Sequence, residues 1–226
     1  MTARLPHADV LEGSFLRLAP ARDEDAPGLF AALDDERVWA KGYGGGPAGR
    51  PADVEAMRLI VRTAVEAAER GERQAYVVRL RADSALGAAG TVVGWSSLGD
   101  ADLENERVHL GWTGYGPRWW AGPVNPECKL LLLGHAFDDC GFGRVKLQTD
   151  IRNDRSQAAI ARLGATREGV LRRHMRRADG TWRDTVVYSI LRDEWPAVAD
   201  GLRRRLVDAQ VHAEQDEEPQ GHRQHG

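Results

Sequence analysis

The chain has 226 residues, 42% hydrophobic and 29% charged, which suits a folded globular protein with one generous domain. Its 31 Lys and Arg against 34 Asp and Glu leave a net charge of -3, which argues against a general nucleic-acid binder. No apolar run reaches the roughly 18 residues of a membrane span, and the two cysteines, Cys128 and Cys140, form neither a disulfide framework nor a metal-ligand spacing.

No apolar leader segment opens the chain, so residues 1–10 read as an N-terminal extension in a reduced, cytoplasmic protein. "LEGSFLRL" (Leu11 to Leu18) predicts a first strand, and "ARDEDAPGLFAALDDERVW" a first helix whose start is disturbed by Pro27. "KGYGGGPAGRP" (Lys41 to Pro51) is too rich in glycine for either element. It follows no strand and precedes no Walker lysine, so it reads as a loop rather than a phosphate cradle. "ADVEAMRLIVRTAVEAAERG" shows helical spacing through Val54, Met57, Ile60, Val61 and Val65, and stops at Gly71.

The period then changes. "RQAYVVRL", "GTVVGWSSLG" and "NERVHLGWTGY" predict the second, third and fourth strands, antiparallel and consecutive. Asn125, Pro126 and Glu127 supply a cap, a first-position proline and an acid for a helix running to about Asp139. "RVKLQTD" (Arg144 to Asp150) predicts the fifth strand, and "NDRSQAAIARLG" a helix capped by Asn153 and closed by Gly164. "VLRRHMRRADGTWRDTVVYSIL" predicts a hairpin turning at Asp179-Gly180. A closing helix completes a domain over residues 11–209, and 210–226 is expected to be a disordered tail. The fourth and fifth strands must run parallel with a helix crossing between them.

This element order resembles the GCN5-related N-acetyltransferase (GNAT) superfamily, and within it the RimJ/RimL-like group. The resemblance is carried by "HLGWTGYGPRWW" entering "VNPECKLLLLGHAF", by "VKLQTDIRNDRSQAAIARLGATREGVLRRHM", and by "RDTVVYSILRDEW". It implies an α/β fold with a mixed, mostly antiparallel sheet of about seven strands flanked by helices. The sheet splays between strands four and five. It also implies acetyl-CoA as cosubstrate, its pantetheine arm pairing with the backbone at Thr113 to Tyr115. The pyrophosphate would lie on Gly122, Pro123, Val124 and Asn125, where a helix start offers free N–H groups and a positive dipole end. Asn153 would contact CoA.

The chain departs from the family pattern at Trp120, Pro123 and Asn125, where the loop usually reads Gln/Arg-x-x-Gly-x-Gly/Ala. It departs again at Ile160, where many members carry a catalytic tyrosine, and at Met175, where RimL-like members carry a glutamate. Two candidates remain for the chemistry. His109 stands where a strand-four glutamate often acts as base, and an imidazole titrating near ~6.5 can take a proton at neutral pH. Ser156 stands where RimL-like members place the acid that protonates the leaving thiolate; satisfying the helix N-terminus explains it equally well.

The expected function is acetyl transfer to a primary amine by direct attack in a ternary complex. A protein N-terminal α-amine is the favoured acceptor. A small-molecule amine or antibiotic, or a non-catalytic acyl-CoA-binding module, are the alternatives. No metal, nucleic acid or membrane partner is expected, and a homodimer is left open.

Overall fold

A computed structural model describes the backbone of residues 2–217 and side chains over 2–211. Among the described residues, eight strands form one sheet in the order β1-β2-β3-β4-β5-β6-β8-β7. The strands are β1 (Leu11–Glu12), β2 (Leu16–Pro20), β3 (Arg73–Leu80), β4 (Val92–Asp102), β5 (Arg107–Tyr115), β6 (Arg144–Asp150), β7 (Thr166–Arg176) and β8 (Trp182–Leu191). The helices are α1 (Ala26–Leu33), α2 (Glu36–Trp39), α3 (Val54–Glu69), α4 (Val124–Gly134), α5 (Asp154–Ala161) and α6 (Trp195–Glu217).

The expected first strand is two strands. Leu11 pairs back onto Leu18, with a turn at Gly13 to Phe15 between them. The cause is distant in sequence: the buried Glu127 carboxylate accepts from the N–H groups of Ser14 (2.6 Å), Phe15 (2.9 Å) and Leu16 (2.7 Å). Those bonds satisfy a turn that would otherwise leave buried donors bare. Glu127 is therefore a tie between α4 and the first hairpin rather than a plain first-turn acid. The predicted first helix is also divided, because the Asp35 side chain accepts from Arg37 N–H and caps a separate short helix. The closing helix runs to Glu217, into the segment expected to be disordered; residues 218–226 lie outside the described residues. Buried Val198, Ala199, Leu202 and Leu206 dock that helix, and once docked it propagates through good helix formers.

The sheet separates two apolar layers. Leu16, Leu18, Tyr76, Val78, Val108, Leu110, Val145 and Leu147 face α4 and α6. Ala75, Val77 and Trp95 face α1 and α3, packing on Leu29, Leu33, Met57 and Val61. Tyr76 and Val78 alternate with Ala75 and Val77, as the two-residue period of a strand requires.

Among the described strands, only the junction of β5 and β6 is parallel, and it is short. Pairing covers Arg107–Arg144, Val108–Val145 and His109–Lys146, after which the strands part. From Leu110 onward the β6-facing backbone edge of β5 has no described strand beside it. The expected splay between the family's fourth and fifth strands is this gap, those strands being β5 and β6 here.

Candidate active site

Between the diverging strands lies a cleft of about 920 Å3. Its walls include β5 from His109 to Tyr115, the loop 119–122, the first turns of α4, the end of β6 and one face of α5. Trp119 and Trp120 pack against both apolar layers, so the cleft opens where the two cores meet.

A bulge shapes the β5 wall. The β4–β5 register shifts between Trp95 and Ser97, and Trp112 is held at φ 50. One inserted residue reverses the alternation. Leu110 faces the α4 layer, and so do Thr113, bonded to α4, and Tyr115. On the other face Trp112 packs against His109, with ring centroids 4.6 Å apart and planes tilted by 47°. Gly111 makes room there: a Cβ at that position would lie 2.5 Å from His109 Nε2.

His109 is 3% exposed. Its Nδ1 lies 3.2 Å from Asp100 Oδ2, while its Nε2 is buried with no hydrogen-bond partner among the described residues. Asp100 lines the same cleft. Its carboxyl is held below the usual carboxylate range chiefly by the His109 hydrogen bond, with Lys146 3.5 Å away adding to the effect. Burial pushes the imidazole below its ordinary pKa, against the opposing pull of Asp100. Burial thus favours the neutral ring, and the Asp100 carboxylate, which can only accept, favours the tautomer with its proton on Nδ1 and a lone pair on Nε2.

Beneath the bulge, Lys129 of α4 is 5% exposed and pairs with no carboxylate among the described residues. Its Nζ donates to Thr113 Oγ1 at 2.8 Å and to Ser96 Oγ at 3.5 Å, and those hydroxyls are 2.7 Å apart. Burial lowers its pKa to about 8. A lysine held beside the cleft on hydroxyls alone places positive potential there with no carboxylate among the described residues to cancel it.

At the other end, α4 begins differently from the expectation. Pro123, not Asn125, occupies the cap position, with φ -72 and ψ -15 and no side-chain capping bond. Asn125 falls in the first turn and lines the cleft with Gly122, whereas the Val124 side chain is fully buried in the core. Trp120 Nε1 donates to Tyr115 O at 2.9 Å, and the Arg155 guanidinium of α5 lies 3.3 Å over the Trp120 ring. Asn153 Oδ1 accepts from Ser156 N–H at 3.0 Å, the predicted cap. Asn153 and Ser156 both line the cleft, as do Thr113 and Tyr115.

The structure thus gathers His109, Thr113, Tyr115, Gly122, Asn125, Asn153 and Ser156 around one cavity. Two groups were missed by the sequence reading, Asp100 and Lys129. The loop 41–51, read as plain, contributes Gly42, Tyr43, Gly44 and Gly49 to the wall. Tyr43 Oη accepts from Trp95 Nε1 at 2.5 Å. Gly45 O accepts from Ala178 N–H of the β7–β8 turn at 3.1 Å, so this loop reaches across the cleft. Other titratable side chains of the β7–β8 hairpin have partners of their own. Glu168 bonds Arg144 and Ser189. His174 Nδ1 lies 3.1 Å from Thr185 Oγ1. Within the basic hairpin, Arg177 is spent on a buried pair with Asp150 at 2.8 Å.

The chain belongs to the GNAT acetyltransferases: the family model described as "Acetyltransferase (GNAT) domain" matches residues 16–166. The family it belongs to is one of acetyltransferases. It is 28% identical over 106 residues to the putative ribosomal N-acetyltransferase YdaF of Bacillus subtilis (strain 168), covering 47% of this chain and 57% of that relative, little over half its length. A putative acetyltransferase from T. thermophilus superposes with TM-score 0.75 at 33% identity, over 88% of this chain and 98% of that one. Mycobacterium smegmatis RimJ, solved in complex with CoA-disulfide, shares the fold with TM-score 0.72 at 21% identity, over 89% of this chain and 96% of that one.

Proposed function

We propose that the protein acetylates a primary amine by direct attack within a ternary complex, His109 Nε2 receiving the proton that the ammonium must lose. The observation that carries this reading is the buried imidazole with one nitrogen held by Asp100 and the other bare, beside the point where β5 and β6 part. A buried polar atom without a partner is costly unless something arrives to meet it. An amine proton is a suitable visitor.

Acetyl-CoA fits the remaining walls. The open backbone edge of β5 at Thr113 to Tyr115 suits an amide-bearing arm that adds like a strand. The free N–H groups at the start of α4, with Gly122 and Asn125 beside them, suit a pyrophosphate. Arg155 adds a guanidinium at the same mouth. When bound, the thioester supplies an activated acetyl group and a thiolate that must be protonated. Ser156 is the proposed source of that proton, and Lys129 stabilises developing negative charge from behind the bulge.

The favoured acceptor is a protein N-terminal α-amine. Its support is the name of the B. subtilis relative and the RimJ-like fold. The test is thiol release from acetyl-CoA with peptides of varied N-terminal residues, set against polyamines and amino-sugar antibiotics. Release driven by peptides alone supports the reading. Release driven only by small amines moves the acceptor class, and acetyl-CoA binding with no release for any amine overturns the catalytic assignment.

A further inference from the structure

Outside the cleft, the first residues of the chain lie against the C-terminal end of α4. Arg4 N–H donates to Cys140 O at 2.9 Å, Arg4 Nε to Asp139 O at 3.1 Å, and Tyr76 Oη to His7 O at 2.7 Å. These bonds set His7 over a π turn, His135–Asp139, that continues α4. There His135 Nε2 lies 3.6 Å and His7 Nδ1 3.8 Å from Cys140 Sγ, all three atoms within 4.8 Å of one another.

The outer nitrogens of both rings are engaged. His7 Nε2 is 2.8 Å from Asp9 Oδ2, and His135 Nδ1 is 2.9 Å from Asp139 Oδ2. A carboxylate can only accept, so in a neutral ring each favours the tautomer with its proton on the outer nitrogen and the other nitrogen's lone pair turned inward. Two inward lone pairs then face one thiol, which has a single proton to give. The cluster is a donor short, and His135 is enclosed, with a side-chain exposure of 0%. A cation supplies what is missing. Tetrahedral zinc, with Zn–S near 2.3 Å and Zn–N near 2.0–2.1 Å, sets S···N separations of about 3.5 Å, close to those observed.

The π turn is what makes the pair. Cys140 N–H donates to His135 O at 2.8 Å, closing an i to i+5 turn. An α-helical pitch would place residues five apart about 140° round the axis.

We propose that His7, His135 and Cys140 form a Zn2+ site, with a water in the fourth position on the more exposed His7 side. The metal clips the N-terminal segment to the end of α4, and the site is separate from the acyl-transfer cleft. Sequence spacing cannot reveal it, because one ligand lies at residue 7 and the others at 135 and 140.

The test uses the full chain, stripped by chelator and titrated with Zn2+ by calorimetry and with Co2+ by absorption. One equivalent of Zn2+ should bind. Co2+ should show thiolate-to-metal charge transfer in the near ultraviolet and the intense visible bands of tetrahedral coordination. His7→Gln, at a half-exposed position that spares the core, should weaken Zn2+ binding at least 100-fold, and Cys140→Ser should abolish the charge-transfer band. Asp139→Asn should weaken binding by about 10–100-fold through loss of ring orientation. The proposal is overturned if the unaltered chain shows no thiolate band. It is equally overturned if binding survives His7→Gln and Cys140→Ser but is lost in His222→Gln/His225→Gln, which would locate the metal in the C-terminal tail.

Discussion

The base proposed at His109 rests on a ring whose two nitrogens are treated differently, Nδ1 beside Asp100 and Nε2 without a partner among the described residues. Its pKa is depressed, mainly by burial, so the neutral, proton-accepting form persists below the ordinary value of about 6.5. The acid limb of kcat/KM should therefore lie below pH 6.5, lower than an unperturbed histidine would place it. His109→Ala should lose roughly 10²–10⁴ in rate together with that limb; a pH–rate profile of both proteins checks it. A near-normal variant with an unchanged limb would remove the assignment. Gly111→Ala should slow turnover too, since its Cβ would press within 2.5 Å of the same nitrogen. Lys129 gives a separate stability signature. Its folded pKa of about 8 lies below the free value of 10.5, so the unfolded chain holds the proton more tightly. Stability should be lowest below pH 8 and rise as pH climbs from about 8 to about 10.5. The shift corresponds to about 3 kcal/mol at most. Lys129→Met should flatten that slope in denaturant titrations across the range and stabilise the protein at pH 7. At this scale the Asn153 cap was legible from a local helix-start pattern. His109 and Ser156 were placed by the family resemblance, and the structure shows of them that both line the cleft. Asp100 and Lys129 were not legible. Asp100 reaches His109 only through strand pairing, and Lys129 looks like any helical lysine until the fold buries it.

At the scale of elements, the strands and long helices followed their periodicities. What escaped was set by contacts between distant segments. The break at Gly13 to Phe15 depends on Glu127, which is more than a hundred residues away in the chain. The bulge at Trp112 has its mark in Gly111 and Gly114, glycines inside a strand pattern, but they do not say which residue is inserted or which way the alternation reverses. The α4 start was read one turn detail wrong because Asn125-Pro126 is a good capping signal, yet the loop before it delivers Pro123 to the cap. That proline removes a backbone donor at the helix end proposed to hold the pyrophosphate. Pro123→Gly should therefore tighten CoA binding, opposed by under ~1 kcal/mol of added chain entropy. Calorimetry with CoA checks it, and unchanged or weaker affinity would show that the pyrophosphate rests elsewhere.

For the whole molecule, the cleft is the place where two half-cores share a boundary. A ligand held there at ~100 times its Kd should stabilise the fold by about 2.7 kcal/mol, read as a thermal shift with acetyl-CoA. No shift, together with no heat of binding, would contradict the proposed use of the cleft. The three paired residues joining β5 to β6 have a further consequence. The eight-stranded sheet is mechanically two panels, β1 to β5 and β6-β8-β7, stitched along a short seam. From Leu110 onward, backbone amides on the β6-facing edge of β5 have no described strand partner to slow their exchange with solvent. An amide-bearing ligand lying in the gap would act as a ninth strand, extending the seam to the bulge. Its arrival should then be felt by hydrogen exchange in both panels at once, although it touches only their inner margins.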